Sequence, residues 1–148
     1  MVPIVTIDGP SGSGKGTIAK ALALKLNWNY LDSGLLYRCF AFLHNQDIEN
    51  ISDGFSRIEH TYDSASENIV FDGKDITSAI RGKELTILSS QLSQKSEVRE
   101  QLMQIQKQYR KMPGLVAEGR DMSSKLFPDS KVKIYLTADL SERVNRRA

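Results

Sequence analysis

The sequence predicts an α/β fold in which helices cover both faces of a parallel β-sheet. Two observations indicate this fold: short apolar runs typical of buried strands alternate with segments of helical periodicity, and glycine-containing polar turns follow the strands. Strands that alternate with helices form parallel sheets through right-handed crossovers. The carboxyl ends of such strands share one edge of the sheet, where ligands bind. Gly9, Asp32 and Gly119 are therefore expected along that edge.

A glycine-rich loop joins the first predicted strand, residues 2–7, to the first predicted helix, residues 18–26. Strand, loop and helix in this order are typical of the phosphate-binding P-loop. Glycines let backbone N–H groups approach an anion closely, the helix dipole adds positive potential, and Lys15 adds a full charge. The candidate phosphate-binding residues are Gly9, Pro10, Ser11, Gly12, Ser13, Gly14, Lys15, Gly16 and Thr17.

The residue after the loop lysine narrows the class of P-loop protein. Gly16 stands between Lys15 and Thr17, whereas a strict Walker A motif has Ser or Thr directly after the lysine. This ending resembles that of the nucleoside monophosphate kinases. A GTPase is disfavoured, because the sequence also has no Asn-Lys-x-Asp motif for reading guanine. The fold class is accordingly an α/β sheet of the P-loop NTPase type.

The middle of the chain combines helical segments with a polar β-like region. A short second strand at residues 29–32 ends in the turn formed by Asp32, Ser33 and Gly34. Residues 55–77 are polar and contain a tight turn at Asp72 and Gly73, which predicts a small antiparallel insertion rather than another crossover. The β-like pieces are residues 57–62, 68–71 and 74–77, and the predicted helices are residues 35–44, 85–92 and 98–109.

The last third of the chain predicts two further strands of the parallel sheet. Pro113 and Gly114 precede an apolar strand at residues 115–118, which runs into Gly119, Arg120 and Asp121. Residues 132–136 predict the last strand, and residues 141–148 begin a helix. The organisation expected is a single core over residues 1–148 with an insertion at about residues 40–100.

Composition limits the classes of protein that the chain can be. Apolar residues make up 40% and charged residues 26%, and no apolar run approaches the length of a membrane span. The net charge of +2 is too small to indicate a nucleic-acid partner. The single cysteine, Cys39, is expected to be buried by packing, and no Cys/His cluster predicts a metal site. A cytoplasmic protein without a membrane partner is expected.

Arginines beside the strand ends are candidates for phosphate binding. Phosphoryl transfer concentrates negative charge, and the planar guanidinium binds two phosphate oxygens at once. Arg38 and Arg120 follow the strand-end turns closely, which favours a functional role over a solvated surface charge. The sequence leaves both roles open for Arg81 and Arg99.

Ordered motifs along the whole chain resemble those of the bacterial cytidylate kinases. The two longest segments of similarity, residues 7–17 and 113–121, contain the P-loop and the Gly119-Arg120-Asp121 turn. The other segments are residues 31–38, 75–77, 80–81, 90–91, 98–100, 127–129, 132–136 and 146–147.

The resemblance implies transfer of the γ-phosphate of ATP to CMP or dCMP, with Mg²⁺ accompanying ATP. It implies that residues 9–17 bind ATP and that Lys15, Arg38 and Arg120 are catalytic. Magnesium would be carried by the nucleotide, with Thr17 and Glu118 acting through water rather than as direct ligands. The residues implied in CMP binding are Asp32, Ser33, Gly34, Tyr37, Arg38, Arg81, Ser90, Arg99, Arg120 and Asp121.

The chain departs from the family pattern at its end. Family members continue beyond the segment that corresponds to Arg146 and Arg147 into an arginine-rich lid, a fifth strand and a helix. A fragment of a longer enzyme, monomeric when complete, is expected in preference to a chain whose partner supplies the missing parts. Two alternatives stay open at this point. One is a nucleotide-binding module without catalysis, and the other is a P-loop kinase with a different small acceptor.

Overall fold

The structure, a computed structural model, describes residues 1–10 and 12–137. They form two compact units: the first comprises Met1–Ser33 and the described chain from Gln106 onward, and the second comprises Gly34–Ile105. In chain order the elements are β1 (Ile4–Asp8), α1 (Lys15–Leu26), β2 (Asn29–Asp32), α2 (Ser33–Asn45), α3 (Ile51–Ser56), β3 (Ile58–Tyr62), β4 (Glu67–Phe71), β5 (Lys74–Asp75), α4 (Thr77–Ile80), α5 (Lys83–Leu92), α6 (Ser96–Lys107), β6 (Leu115–Gly119), a π-helical turn (Met122–Leu126) and β7 (Val132–Tyr135).

The first unit contains a four-stranded parallel sheet with the strand order β2-β6-β1-β7. Every residue of the two central strands, β1 and β6, is buried. Continuous burial is what a parallel strand covered on both faces requires, and it explains the unbroken apolar runs in the sequence. The predicted parallel α/β sheet is confirmed.

The register of the sheet brings the strand ends together. Asp8 pairs with Gly119, and Asp32 pairs with Glu118. Just past β1, the Gly9 N–H donates to the Gly119 carbonyl at 3.2 Å. The prediction that Gly9, Asp32 and Gly119 lie along one edge is confirmed.

Helix α1 packs against β6 through small side chains. Ala19 and Ala23 lie one turn apart and are buried, so the helix can approach the sheet closely. The helix ends at Leu26, and Asn27 caps it: Asn27 adopts a left-handed conformation with φ 56° and donates its N–H to the carbonyls of Ala23 and Leu24. This geometry directs the chain from α1 into β2.

The second unit contains the antiparallel sheet β3-β4-β5, which confirms the predicted antiparallel pairing. The prediction of strand through Thr77 is wrong, because β5 ends at Asp75 and α4 begins at Thr77. The Asp75 carboxylate accepts hydrogen bonds from the N–H and the hydroxyl of Thr77, which turns the chain away from the sheet. Helix α3 was not predicted. Asn50 caps it by accepting the Asp53 N–H.

Other predicted boundaries differ by a few residues. Helix α2 begins at Ser33 rather than residue 35, α6 ends at Lys107 rather than residue 109, and β7 ends at Tyr135. Cys39 is buried as expected. The helix predicted from residue 141 lies outside the described residues. Within residues 1–10 and 12–137, the helices are too short or too polar to cross a membrane.

The entry to β6 requires glycine at position 114, which gives a testable expectation. A Cβ built on Gly114 would lie 2.4 Å from the Trp28 ring. We expect Gly114→Ala to lower the free energy of unfolding by about 1–3 kcal/mol because the indole must move. Denaturant unfolding measures the change. In a Trp28→Ala background the same substitution should cost less, and equal costs in both backgrounds would contradict the proposed collision.

Candidate functional site

The loop between β1 and α1 requires glycine at several positions. Gly12 and Gly14 adopt positive φ angles of 79° and 90°, which side chains disfavour. A Cβ on Gly9 would lie 2.5 Å from the Leu136 carbonyl oxygen. Three glycines of the motif are therefore required by conformation or by close approach. Ser11 lies outside the described residues.

Polar groups converge on this loop. Helix α1 begins at Lys15 without a side-chain cap at Gly14, and the first turn of an α-helix leaves N–H groups without helical partners. The Lys15 ammonium donates to the Pro10 carbonyl at 3.4 Å, a long hydrogen bond that bends the side chain back over the loop. The Ser13 hydroxyl is buried and has no hydrogen-bond partner within the described chain. These donors favour an anionic ligand.

Glu118 brings a carboxylate to the beginning of α1. It is the penultimate residue of β6 and is buried, with 5% of its surface exposed. Its Oε2 atom lies 3.8 Å from the position that a Cβ on Gly16 would occupy. A carboxylate next to a phosphate-binding loop is suited to a hard divalent cation, because such cations prefer oxygen ligands.

The segment after β6 carries two exposed side chains, Arg120 and Asp121. Asp121 adopts a left-handed conformation with φ 61°, and its carbonyl accepts the Lys125 N–H at 3.0 Å as the π-helical turn begins. Its carboxylate forms an ion pair with the Lys125 ammonium at 3.8 Å, and both side chains are largely exposed. An exposed pair of this kind is weak, so the carboxylate can exchange this partner for a ligand.

A second strand end contributes Asp32 and Ser33. Ser33 is buried at the first position of α2, and a Cβ on Gly119 would lie 2.8 Å from the Ser33 Cβ. Gly119 therefore permits the close approach of the β2 and β6 ends. The P-loop, Asp32, Ser33, Glu118, Arg120 and Asp121 all belong to the first unit, at or beside the carboxyl edge of its sheet.

The other predicted CMP-binding residues, Gly34, Tyr37, Arg38, Arg81, Ser90 and Arg99, lie in the second unit. The Arg99 guanidinium donates to the carbonyls of Ser93 and Gln94 at 3.0 and 2.9 Å, which holds it at the end of α5. Burial raises the pKa of the half-buried Tyr37, and the nearby charge of Arg99 opposes this increase. The charge of Arg99 therefore acts on Tyr37, although the two residues lie far apart in the sequence.

Arg81 is held by a carboxylate that the sequence did not single out. Glu67 accepts from the Arg81 Nε at 2.6 Å and from its terminal nitrogen at 3.0 Å, a bidentate pair. The His60 Nε2 atom lies 3.1 Å from Oε2 of Glu67, the oxygen that also accepts from the terminal nitrogen of Arg81. The hydrogen bonds from Arg81 and His60 hold the pKa of Glu67 below its usual value, with Arg81 as the larger cause. The sequence did not predict the cluster of His60, Glu67 and Arg81, because the three residues come from separate elements.

Asp8 is a second residue that sequence analysis missed. Its buried carboxylate accepts hydrogen bonds from the N–H groups of Met122 and Ser123 at 2.7 and 3.0 Å, and from the Ser123 hydroxyl at 2.9 Å. The signal available in the sequence was an acidic residue at the end of an otherwise apolar buried strand, directly before the P-loop. Buried carboxylates require such partners.

The amino-acid sequence of the chain is similar to those of known cytidylate kinases. A family model described as cytidylate kinase matches residues 5–148. The cytidylate kinase of Stutzerimonas stutzeri is 47% identical over 99% of this chain and 68% of its own length. Those of Pseudomonas syringae pv. tomato and Azotobacter vinelandii are 43% and 44% identical over 98% and 97% of this chain, and 68% and 67% of their own lengths.

The Glu67 cluster gives a prediction about acid stability. Because the pKa of Glu67 is lower in the folded state than its ordinary value of 4.5, ionised Glu67 stabilises the fold above that pH. This contribution is lost as the pH falls through the lower, folded-state pKa. We expect Glu67→Gln to reduce the free energy of unfolding at pH 7 and the difference from the parent chain to shrink under acid.

Denaturant unfolding between pH 7 and pH 3 measures this difference. Glu59→Gln is the matched control, because Glu59 is exposed on the neighbouring strand. A difference between Glu67→Gln and the parent that is constant with pH would contradict the ion-pair interpretation.

Proposed function

The chain belongs to the cytidylate kinase family, and we propose that it transfers the γ-phosphate of ATP to CMP or dCMP at the carboxyl edge of its parallel sheet. The observation that carries the proposal is the pairing of β1 with β6, which sets the P-loop beside Glu118 and the Arg120–Asp121 segment. Phosphoryl transfer between nucleotides needs a loop that binds the donor phosphates and an arginine near the acceptor phosphate.

We propose that the P-loop binds the phosphates of ATP. The N–H groups at the start of α1 and the Ser13 hydroxyl would donate to phosphate oxygens, and Lys15 would neutralise the outer phosphates. The 3.4 Å contact between Lys15 and the Pro10 carbonyl supports this role, because a neutral carbonyl at that distance is a weak partner that phosphate can replace.

We propose that the acceptor nucleotide is bound by the residues that the family resemblance implies. Arg38 and Arg120 would bind its phosphate, since guanidinium groups stabilise the charge that develops on the transferring group. Ser90, Arg99 and Asp121 would read the cytosine edge, which offers an exocyclic amine, a ring nitrogen and a carbonyl. The sugar end would be bound by Asp32 and Ser33. Gly34, Tyr37 and Arg81 complete the proposed set.

Kinases of this family use ATP with a divalent metal ion, and the residues at the loop fit such an ion. The buried Glu118 carboxylate beside Gly16 supplies an oxygen donor. Glu118 and the Thr17 hydroxyl would hold Mg²⁺ through bound water, while the phosphates supply the other ligands. Bound Mg²⁺ would offset negative charge on the phosphates during transfer.

An ADP-release assay with ATP, Mg²⁺ and one acceptor at a time tests the proposal. We expect turnover with CMP and dCMP, and kcat/KM at least about tenfold lower with UMP or AMP, because the cytosine-reading groups would be left unpaired. Equal turnover with AMP would contradict the acceptor assignment. Binding of nucleotides without any ADP release would contradict the activity itself.

Lys15→Ala tests the role of the loop. We expect kcat to fall at least about a hundredfold, because the lysine stabilises charge that grows in the transition state. Lys25→Ala is the matched control, since Lys25 is exposed in the last turn of the same helix. Loss of activity in both variants, or in neither, would argue against a specific role for Lys15.

Asp121→Ala tests recognition of the acceptor. We expect the KM for CMP to rise about tenfold and the KM for ATP to change less than about twofold, because a charged hydrogen bond to the cytosine edge is removed. Lys125→Ala is the control, since it removes the ion pair and leaves the carboxylate in place. If Lys125→Ala has the same effect as Asp121→Ala, the carboxylate acts by holding the turn rather than by reading CMP.

A further inference from the structure

We infer that Asp8 is a positioning residue that fixes the Arg120–Asp121 segment relative to the P-loop; the inference rests on the proposed roles of Arg120 and Asp121 in binding the acceptor. Asp8 is the last residue of β1 and directly precedes the loop. Its carboxylate binds residues 122 and 123, which follow the segment. One side chain therefore connects the two parts of the site.

Asp8 holds the segment at both of its ends. On its amino-terminal side, Gly119 pairs with Asp8 in the sheet and accepts the Gly9 N–H at 3.2 Å. On its carboxyl-terminal side, Met122 donates its N–H to the Asp8 carboxylate at 2.7 Å. Arg120 and Asp121 are the two residues between these attachments, and both side chains are exposed.

The Asp8 carboxylate supplies hydrogen-bond acceptors to the turn that follows Asp121. Asp121 is left-handed at φ 61°, a conformation that costs free energy in residues other than glycine. Three donors meet the Asp8 carboxylate, two backbone N–H groups and the Ser123 hydroxyl. Charge-assisted hydrogen bonds in a buried position are stronger than neutral ones. They stabilise the reversed chain and hold Arg120 and Asp121 at one position.

Asp8 is also fixed from its other side. Its backbone carbonyl accepts the Leu136 N–H at 2.9 Å, and the residue pairs with Tyr135 of β7. It is buried, with 7% of its surface exposed. The carboxylate is thus anchored in a central strand, and its hydrogen bonds fix the Arg120–Asp121 segment relative to that strand. Phosphoryl transfer depends on the alignment of donor and acceptor, and small displacements reduce the rate strongly.

Asp8→Asn tests the inference with little change in size. The amide oxygen can still accept one N–H, but the amide nitrogen cannot accept the others. We expect the KM for CMP to rise about tenfold or more and kcat to fall, while the KM for ATP changes less than about twofold. Steady-state kinetics with each nucleotide varied separately measures this split, and calorimetric titration of CMP measures binding without turnover.

A double-mutant cycle separates positioning from a general loss of stability. If Asp8 acts through the segment, Asp8→Asn should raise the KM for CMP much less in an Asp121→Ala background than in the parent chain. Additive effects of the two substitutions would overturn the inference. A parallel increase in the KM values for ATP and CMP after Asp8→Asn would also overturn it.

Ser123→Ala provides a milder variant in case Asp8→Asn disturbs folding. It removes one hydrogen bond and leaves the backbone donors, so the KM for CMP should rise about two- to fourfold at an unchanged KM for ATP. Ser124→Ala is its control, because Ser124 is exposed on the same turn. If Ser123→Ala and Ser124→Ala have the same KM for CMP, the inference is overturned while the proposed function stays intact. A parent chain that neither binds nor phosphorylates CMP would overturn both.

Discussion

The parallel pairing of β1 with β6 is the constraint on which the first unit depends. It aligns Asp8 with Gly119, and so the loop after one strand begins where the turn after the other begins. Burial on both faces gives these strands a single stable register, because a shift by one residue would reverse the direction of every side chain. The glycines at 9 and 119 let Leu136 and Ser33 approach the strand ends. Packing of apolar strands thereby determines the placement of polar groups at the edge.

The polar groups at this edge differ in what holds them. Glu118 is buried in a central strand, and Lys15 has a weak neutral partner that a phosphate can replace. The Asp121 side chain is exposed and forms a long ion pair with Lys125. The Asp8 carboxylate, in contrast, accepts hydrogen bonds from three donors within the protein. Its hydrogen bonds therefore fix the turn after β6 before any ligand binds, as a preorganised site requires.

The parallel sheet and the loop could be predicted because local patterns specify them. Apolar runs marked β1 and β6, and the spacing of glycines around Lys15 marked the P-loop. The short helix α4 was missed, since it begins at a turn in which Asp75 accepts hydrogen bonds from the N–H and the hydroxyl of Thr77. The contacts of Asp8 and Glu67 could not be predicted, because each joins residues of separate elements with no local sequence signal. The roles assigned to individual site residues rest on the family resemblance and stay predictions.

The central claim is that the P-loop and the Arg120–Asp121 segment act on one pair of nucleotides at one edge of the sheet. Titration with a ligand in which adenosine and cytidine are joined through a chain of phosphates tests it most directly. The account predicts that this ligand binds at least about a hundredfold more tightly than ATP, because the second nucleotide binds without a further loss of translational freedom. Lys15→Ala and Asp121→Ala should each weaken it. Binding no tighter than that of ATP, and unaffected by Asp121→Ala, would contradict the account.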